Sequence, residues 1–521
     1  MVKADPGLLH TKQGVSRDRV EIENGLLQLI EVTGVPGISL TVIRQGKKDA
    51  YSVGKADMEE GVELQEKHRM LIGSTGKSFF AALALRLMEE GKLSLDAPVS
   101  NYLGTYPWYA QVPNHASVTI ENLLNHTSGI PEYVYTQELW QTIKQEPRKQ
   151  WTVQDRLAFI ADAKPHFETG SGWGYADTNY ILLGAVLEEI TKKDVFSMVN
   201  DSFFVNYGMK DIEPATQPAL SELCAGYSGN LFGNLFGEKI ASMGQYHLNP
   251  QFEWTGGGFV STTADLALWA NLLFSGKVLE PQSLELMCSA VNRMNGTPDE
   301  IGYGLGTEIF HTRFGKAFGH TGFMPGYSTF MAYLPDHQMS LAVQVNMDPY
   351  HKQWQRGTSI YTIVDGILSL LMDQAVKMEK YTVLYFVRHA EKEDDGTRNP
   401  ALSQSGMDRA KRLADLMADK GIDAVYSSPY KRAIQTAEPL AKRLNLETQL
   451  YNPSDQNAIF DIIGKNKGGI VLIVGHSNTV PEMLNLLGQN RAYQWIAEDD
   501  YGKLYEAEFN GTSIEIKQSN Y

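Results

Sequence analysis

Between Arg17 and Glu31, apolar and polar residues follow the 3.6-residue period of an amphipathic helix. Two β-rich runs follow, Gly37 to Ile43 and Ala50 to Val53, with a turn at Gln45-Gly46-Lys47. A strongly apolar helix is expected just after Gly73, carrying Phe79, Phe80, Leu83, Leu85 and Leu87. Far downstream, Ser328 to Tyr333 and Ser340 to Val345 read as strands, and Thr358 to Val376 as a helix. Strands at both ends of a long mixed region predict an α+β unit whose sheet is closed by both termini.

The rhythm changes after the charged break Lys377-Met378-Glu379-Lys380. Thr382 to Val387 is β-rich. Ser403 caps a helix running to about Lys420, Asp423 to Ser427 reads as a strand, Tyr430 to Leu444 as a helix, and Gly469 to Val474 as a strand. This alternation predicts a three-layer α/β unit with a mostly parallel sheet. Two domains are therefore expected, 1–378 and 379–521.

Composition narrows the classes. The chain has 521 residues, and at roughly 150 residues per domain that length suits about three units. With 43% hydrophobic and 21% charged residues it has enough apolar surface to fold. A net charge of −15 opposes binding to a polyphosphate backbone, so nucleic-acid partners are not expected. The two cysteines, Cys224 and Cys288, cannot form a disulfide framework or a cysteine-based zinc site. No apolar run approaches the roughly 18 residues of a spanning helix. The polar stretch Met1 to Gly14 lacks a signal core, which implies a cytoplasmic chain, or an exported one if a leader has been removed.

The first chemistry-bearing group is Gly73-Ser74-Thr75-Gly76-Lys77. At the start of a helix it places Ser74 and Lys77 one turn apart on one face. A serine hydroxyl is a weak nucleophile until a neighbour takes its proton, and Lys77 is placed to assist. Four further blocks follow in order: Leu123 to Gly129, Trp173 to Tyr180 with Tyr175 and Asp177, Gly256 to Thr262, and Gly319-His320-Thr321-Gly322. The set resembles the serine β-lactamase and penicillin-binding-protein-like family over about residues 25–350. That resemblance implies an antiparallel sheet plus a helical region, with Ser74 as acylated nucleophile and Lys77 with Tyr175 as proton-transfer pair. It also implies an oxyanion hole from the N–H groups of Ser74 and Phe323. Lys77 is expected to depress the Tyr175 hydroxyl pKa so that it can act as base. Asp177 stands where the family has Asn, as a substrate contact alongside Thr321, Gly322 and Phe323. His320 stands where it has Lys, which makes the positive charge there conditional on pH. An ester, amide or D-peptide substrate is expected, with weak or no β-lactam turnover.

The second group lies at strand ends: Arg388 and His389, then Ser427-Ser428-Pro429 with Arg432, then His476 and Asn478. Two guanidiniums match phosphoryl oxygens, one imidazole can attack phosphorus, and the other can stabilise its charge. "RHAEK", "ALSQSG", "YSSPYKRAIQTAEPLA" and "VGHSN" occur in the order of the histidine phosphatase, or phosphoglycerate-mutase-like, superfamily, which this part of the chain resembles. The resemblance implies that His389 forms a phosphohistidine. It implies a phosphate pocket of Arg388, Arg432 and His476, with Ser427 or Asn478 assisting. Asp455 is the best-placed general acid, with Glu391 and Asp461 as alternatives. Expected partners are an acyl substrate and a phosphorylated small molecule or protein. No cofactor or metal is expected, and the sequence leaves the oligomeric state open. The rival to two catalysts is a serine hydrolase joined to a non-catalytic phosphate-binding module.

Overall fold

The computed structural model describes residues 19–161, 163–291, 301–355, 358–372, 382–397, 399–453, 458–488, 493, 495–497, 499–509 and 514–521. Two compact units divide the chain at 377/378, with Arg356–Thr358 grouped with the second.

The amphipathic start becomes the helix Arg19–Thr33, its buried face set by Ile22, Leu26 and Leu29. The strands Gly37–Arg44 and Lys47–Asp57 pair as a hairpin. At its tip Gln45 and Gly46 both have positive φ, 51° and 80°, the two-residue turn whose twist matches that of paired strands. The first unit's main sheet runs in the order Ile301–Tyr303, Glu308–Thr312, Gly315–Met324, Tyr327–Leu334, Met339–Val345, Gly37–Arg44, Lys47–Asp57, Val62–Glu63. Strands from the two ends of the unit meet side by side, Ile38 opposite Val345 and Arg44 opposite Met339. The terminal helix is Ile360–Leu371, capped by Ser359; residues 373–381, and with them the expected end at Val376, lie outside the described set.

The helical part is built round Lys77–Glu89, buried on nearly every side. Such a helix must be apolar all round, which is why its sequence shows little amphipathic contrast. Phe79 stacks on Trp269 with ring centroids 4.3 Å apart, and Phe80 stacks on Phe259 at 5.4 Å. The first contact binds the helix to Thr263–Phe274, which covers one face of the sheet through Thr41 with Thr263 and Ser340 with the Ala267 carbonyl, and the second binds it to the strand Phe259–Ser261.

In the second unit the sheet order is Thr448–Leu450, Ala424–Ser427, Ile470–Gly475, Thr382–Arg388, Lys503–Phe509, Ile514–Asn520. The first four strands are parallel and the last two antiparallel, a terminal hairpin that the strand–helix rhythm does not reveal. Successive side chains of Thr382–Arg388 point to opposite faces. Leu384 and Phe386 pack with Ile459, Ile463 and Leu484, while Val383, Tyr385 and Val387 pack with Leu413, Ala437 and Leu440. Helices therefore cover both faces. The parallel register sets Arg388 opposite Gly475 and Ser427 opposite Val474, so the three chemistry-bearing strand ends finish level at one edge.

Candidate active sites

Ser74 lies in a one-turn 3-10 segment, Gly73–Gly76, and the α-helix begins at Lys77. Two glycines let this turn press against the strand Gly315–Met324. Gly73 has φ 50°, and a Cβ there would stand 2.2 Å from the Phe323 carbonyl oxygen. A Cβ on Gly322 would stand 1.9 Å from the Ile72 carbonyl oxygen. Behind the turn, Trp269 Nε1 donates to Ser78 Oγ at 2.9 Å, and Ser78 Oγ donates to the Thr75 carbonyl at 2.8 Å.

The strand opens where the turn meets it. Pairing with Glu308–Thr312 ends at Gly319, so residues from His320 onward keep strand pairing on one side only. On the open edge the Thr321 N–H donates to Glu308 Oε2 at 2.7 Å, and the Thr321 hydroxyl donates to Oε1 at 3.1 Å. Alternation puts the Phe323 N–H on the same edge, facing the nucleophile turn. Phe323's ring is partly exposed, and the bare Cα of Gly322 admits the turn.

Lys77 is fully buried and fully subscribed. Its ammonium donates to Ser74 Oγ at 3.0 Å, to the Gly256 carbonyl at 2.5 Å and to Asp177 Oδ1. Three protons thus meet three acceptors. The sequence reads Asp177 as a substrate contact; the structure ties its carboxylate to Lys77 instead. Two further carboxyls back this pair, neither marked by any motif. Glu132 accepts the Asp177 backbone N–H, and burial, then Asp177, hold its carboxyl well above the usual range. Glu253 is pushed up to about 8 by the same two causes.

Tyr175 comes to the site, its ring centroid 5.0 Å from Lys77 Nζ. The expected depression of its hydroxyl is overturned. Burial first, and Asp177 second, push it well above the ordinary 10, and the hydroxyl stays protonated. Ser74 lowers it a little, although the two hydroxyls fall short of a well-formed hydrogen bond. His320 is buried beside this group, and burial lowers its pKa, so the conditional charge is absent at neutral pH.

In the second unit the strand ends deliver Arg388, His389, Ser428 and His476 into one pocket. The His389 Nδ1–H donates to the Ala390 carbonyl at 2.8 Å, which leaves Nε2 as the acceptor nitrogen. Arg432 Nε donates to that nitrogen at 3.1 Å. The two imidazoles are 5.3 Å apart, centroid to centroid. Burial lowers His389 to about 3 and His476 to about 4, and the two arginines push the same way. Each arginine lies over a tyrosine ring, Arg388 over Tyr501 at 4.3 Å and Arg432 over Tyr430 at 4.7 Å. Arg388 also donates to the Ala497 carbonyl at 2.6 Å and to that of Asp500 at 3.2 Å.

Three expectations change here. Ser427 turns its hydroxyl onto the Ser428 carbonyl, and it is Ser428 that meets His476 Nε2 at 2.8 Å. The strand stops at Ser427, so the residue just beyond it was the better candidate. Glu391 is held by Arg409 in a bidentate ion pair, which removes it as a free acid. Asp461 is exposed on the helix Ala458–Lys465. Asp455 lies outside the described residues, and Asn478 sits partly buried in the turn after His476, its carbonyl accepting the Glu482 N–H. Among the described residues no group of three or more His, Cys, Asp or Glu is placed to hold a metal ion, and no helix is long and apolar enough to cross a membrane.

A serine–lysine–tyrosine group at the junction of a helical region and an antiparallel sheet defines a serine hydrolase of the β-lactamase class. Residues 26–360, well over half of the chain, match the family model described as Beta-lactamase, and the chain belongs to that family. Residues 384–452 match the histidine phosphatase superfamily (branch 1), so a second family is represented in the same chain. The chain is similar to penicillin-binding protein 4* of Bacillus subtilis (strain 168), 27% identical over 57% of this chain and 65% of that one, so it spans just under two thirds of that relative. It is also similar to serine beta-lactamase-like protein LACTB, mitochondrial, of Mus musculus, 23% identical over 66% of this chain and 78% of that protein. The fold matches a crystal structure of D-stereospecific amidohydrolase from Streptomyces sp., with TM-score 0.57 and 24% identity, covering 68% of this chain and 98% of that one.

Proposed function

We propose that the first unit hydrolyses an ester, amide or D-peptide-type acyl substrate through an acyl-enzyme on Ser74, and that the second hydrolyses a phosphomonoester through a phosphohistidine on His389. The observation that carries the first reading is the Lys77 ammonium, held by Ser74, Asp177 and the Gly256 carbonyl at once. Passing one proton along the contact to Asp177 leaves an amine lone pair beside Ser74 Oγ. Lys77 then takes the hydroxyl proton as Ser74 attacks. The N–H groups of Ser74 and Phe323 stabilise the developing oxyanion. Tyr175, protonated, donates to the leaving group and is recharged from Lys77. Membership of the family described as Beta-lactamase supports a serine hydrolase reading. With His320 neutral, a substrate carboxylate gains no cation there, so β-lactams are turned over weakly or not at all.

In the second unit the His389 Nε2 lone pair attacks phosphorus while Arg432 moves from that nitrogen onto the phosphoryl oxygens, joining Arg388 and His476. Asp455 protonates the leaving oxygen. The rival, a module that binds phosphate without turnover, is favoured by the commitment of Glu391 to Arg409.

Labelling with a fluorophosphonate and intact-mass analysis tests the first reading. One adduct is expected, lost in Ser74→Ala, and labelling that survives the substitution refutes it. Nitrocefin turnover above about 10 per second, an ordinary enzyme rate, sinks the restriction on β-lactams. For the second, slow EDTA-insensitive hydrolysis of p-nitrophenyl phosphate is expected, lost in His389→Ala. No turnover despite phosphate binding would establish the rival.

A further inference from the structure

A buried chain of hydrogen bonds runs behind the acyl site and uses Tyr303, a residue no motif marks. His320 Nδ1 lies 2.6 Å from the Thr321 carbonyl oxygen, which can only accept, so Nδ1 carries the hydrogen. At the other end, His126 Nδ1 receives the Ala176 N–H at 3.2 Å and the Asn179 amide at 3.0 Å. His126 therefore carries its hydrogen on Nε2, which lies 3.1 Å from the Tyr303 oxygen. The Tyr303 oxygen is in turn 3.0 Å from His320 Nε2. With both rings neutral, one direction remains. His126 Nε2–H donates to Tyr303, and the Tyr303 O–H donates to His320 Nε2.

His126 has φ 63°, a left-handed conformation that few residues other than glycine adopt. Its ring lies 4.2 Å from that of Tyr175, centroid to centroid, so the chain joins the Tyr175 loop to the strand that carries Phe323. His126, Tyr303 and His320 are all at most 1% exposed.

We propose that Tyr303 is a specificity-determining positioning residue, which occupies the His320 Nε2 lone pair and keeps the strand side of the acyl site uncharged. This rests on the acyl-hydrolase reading and deepens it by naming the substrate class: acyl groups without a carboxylate where the third motif meets them. Protonating His320 would require its Tyr303 bond to reverse. The charged groups facing His320 are Glu308 and Asp177, which favour its cation, and Lys77, which opposes it; Tyr175 and Tyr303 face it as neutral rings. Removing the Tyr303 hydroxyl frees Nε2 to take a proton while both carboxylates remain.

The test compares kcat/KM for p-nitrophenyl hemisuccinate with that for p-nitrophenyl butyrate, using the full chain between pH 7.5 and 5.5. The wild-type ratio is expected to stay flat. In Tyr303→Phe it should rise several-fold, short of the roughly tenfold of a histidine of ordinary pKa because burial still opposes the cation. In Tyr303→Phe with His320→Gln it should be flat again. A flat ratio in Tyr303→Phe, or an equal rise in the wild type, overturns the proposal. A second measurement needs neither turnover nor that variant: ¹⁵N-histidine NMR of the wild-type chain, with His320 assigned by loss of its signal in His320→Gln. A neutral ring with hydrogen on Nδ1 is expected down to pH 6. Hydrogen on Nε2, or an imidazolium above pH 6, overturns the tautomer assignment. If neither ester is hydrolysed, the acyl-hydrolase reading alone fails, and the spectrum still decides the tautomer.

Discussion

The two sites solve opposite protonation problems. In the first unit the proposed nucleophile is an alcohol and must lose a proton. The fold therefore buries a lysine with three carboxyls, Asp177, Glu132 and Glu253, and keeps Tyr175 protonated as a donor. In the second the proposed nucleophile is an imidazole, which attacks with a lone pair it already has. The fold needs only to keep His389 neutral, and burial beside two arginines does that. One buried cation managed by acids stands against two buried bases managed by cations. An alcohol requires a proton acceptor before attack, and a neutral imidazole does not.

The largest effect expected is a double dissociation. Ser74→Ala should lower ester hydrolysis by about 10³-fold or more and His389→Ala should do the same to p-nitrophenyl phosphate hydrolysis, consistent with loss of a covalent nucleophile. Steady-state assays of both activities on both variants check this, and a loss of both activities from either change would break the view of separate catalysts. Next in size, Arg432→Lys should cost about 10²-fold in kcat/KM for the phosphoester, because an ammonium lacks the planar fork that matches phosphoryl oxygens. A loss confined to KM would recast Arg432 as a binding group only. Asp177→Asn keeps the shape but removes the proton acceptor beside Lys77. Its expected effect is about 10- to 10²-fold on kcat for an ester, in the range of a general acid–base contribution, and unchanged kcat would assign Asp177 to structure alone.

The smallest effects concern stability against pH, and the two units differ in sign. His389 and His476 have folded pKa values of about 3 and 4, below the ordinary 6.5. The unfolded chain binds more protons, so their contribution is intact above about 6.5 and is lost as pH falls through that window. Glu253 has a folded pKa of about 8, above the ordinary 4.5, so its contribution is intact at acid pH and is lost as pH rises through 8. Melting temperatures followed by circular dichroism should show a shallower alkaline decline in Glu253→Gln and a shallower acid decline in His476→Gln. Equal slopes in variant and wild type would remove these groups from the balance.

Much of this was legible in the chain. The hairpin turn at Gln45-Gly46, the cap at Ser403, the order of the five acyl blocks and the strand-end placement of Arg388, His389 and His476 are local features, written in residues that are neighbours or nearly so. The Lys77–Asp177 pair was harder. Both residues were singled out, but 100 positions separate them, and spacing along the chain does not say that a carboxylate faces inward to a lysine rather than outward to substrate. Ser428 was displaced by its neighbour because a one-residue shift at a strand end reverses which side chain faces the pocket.

By itself the sequence determined the two fold classes and the types of side chain gathered at the two candidate sites, because periodicity and short motifs act over one or two turns of chain. Only the tertiary structure decided their protonation. Tyr175 is expected from the sequence to be acidified by a lysine, whereas burial and then Asp177 push its hydroxyl well above the ordinary value. His320 was expected to switch with pH and is instead held neutral within a chain through Tyr303 and His126. Charge state depends on desolvation and on partners brought from distant parts of the chain, and both arise only when the chain has closed around the site.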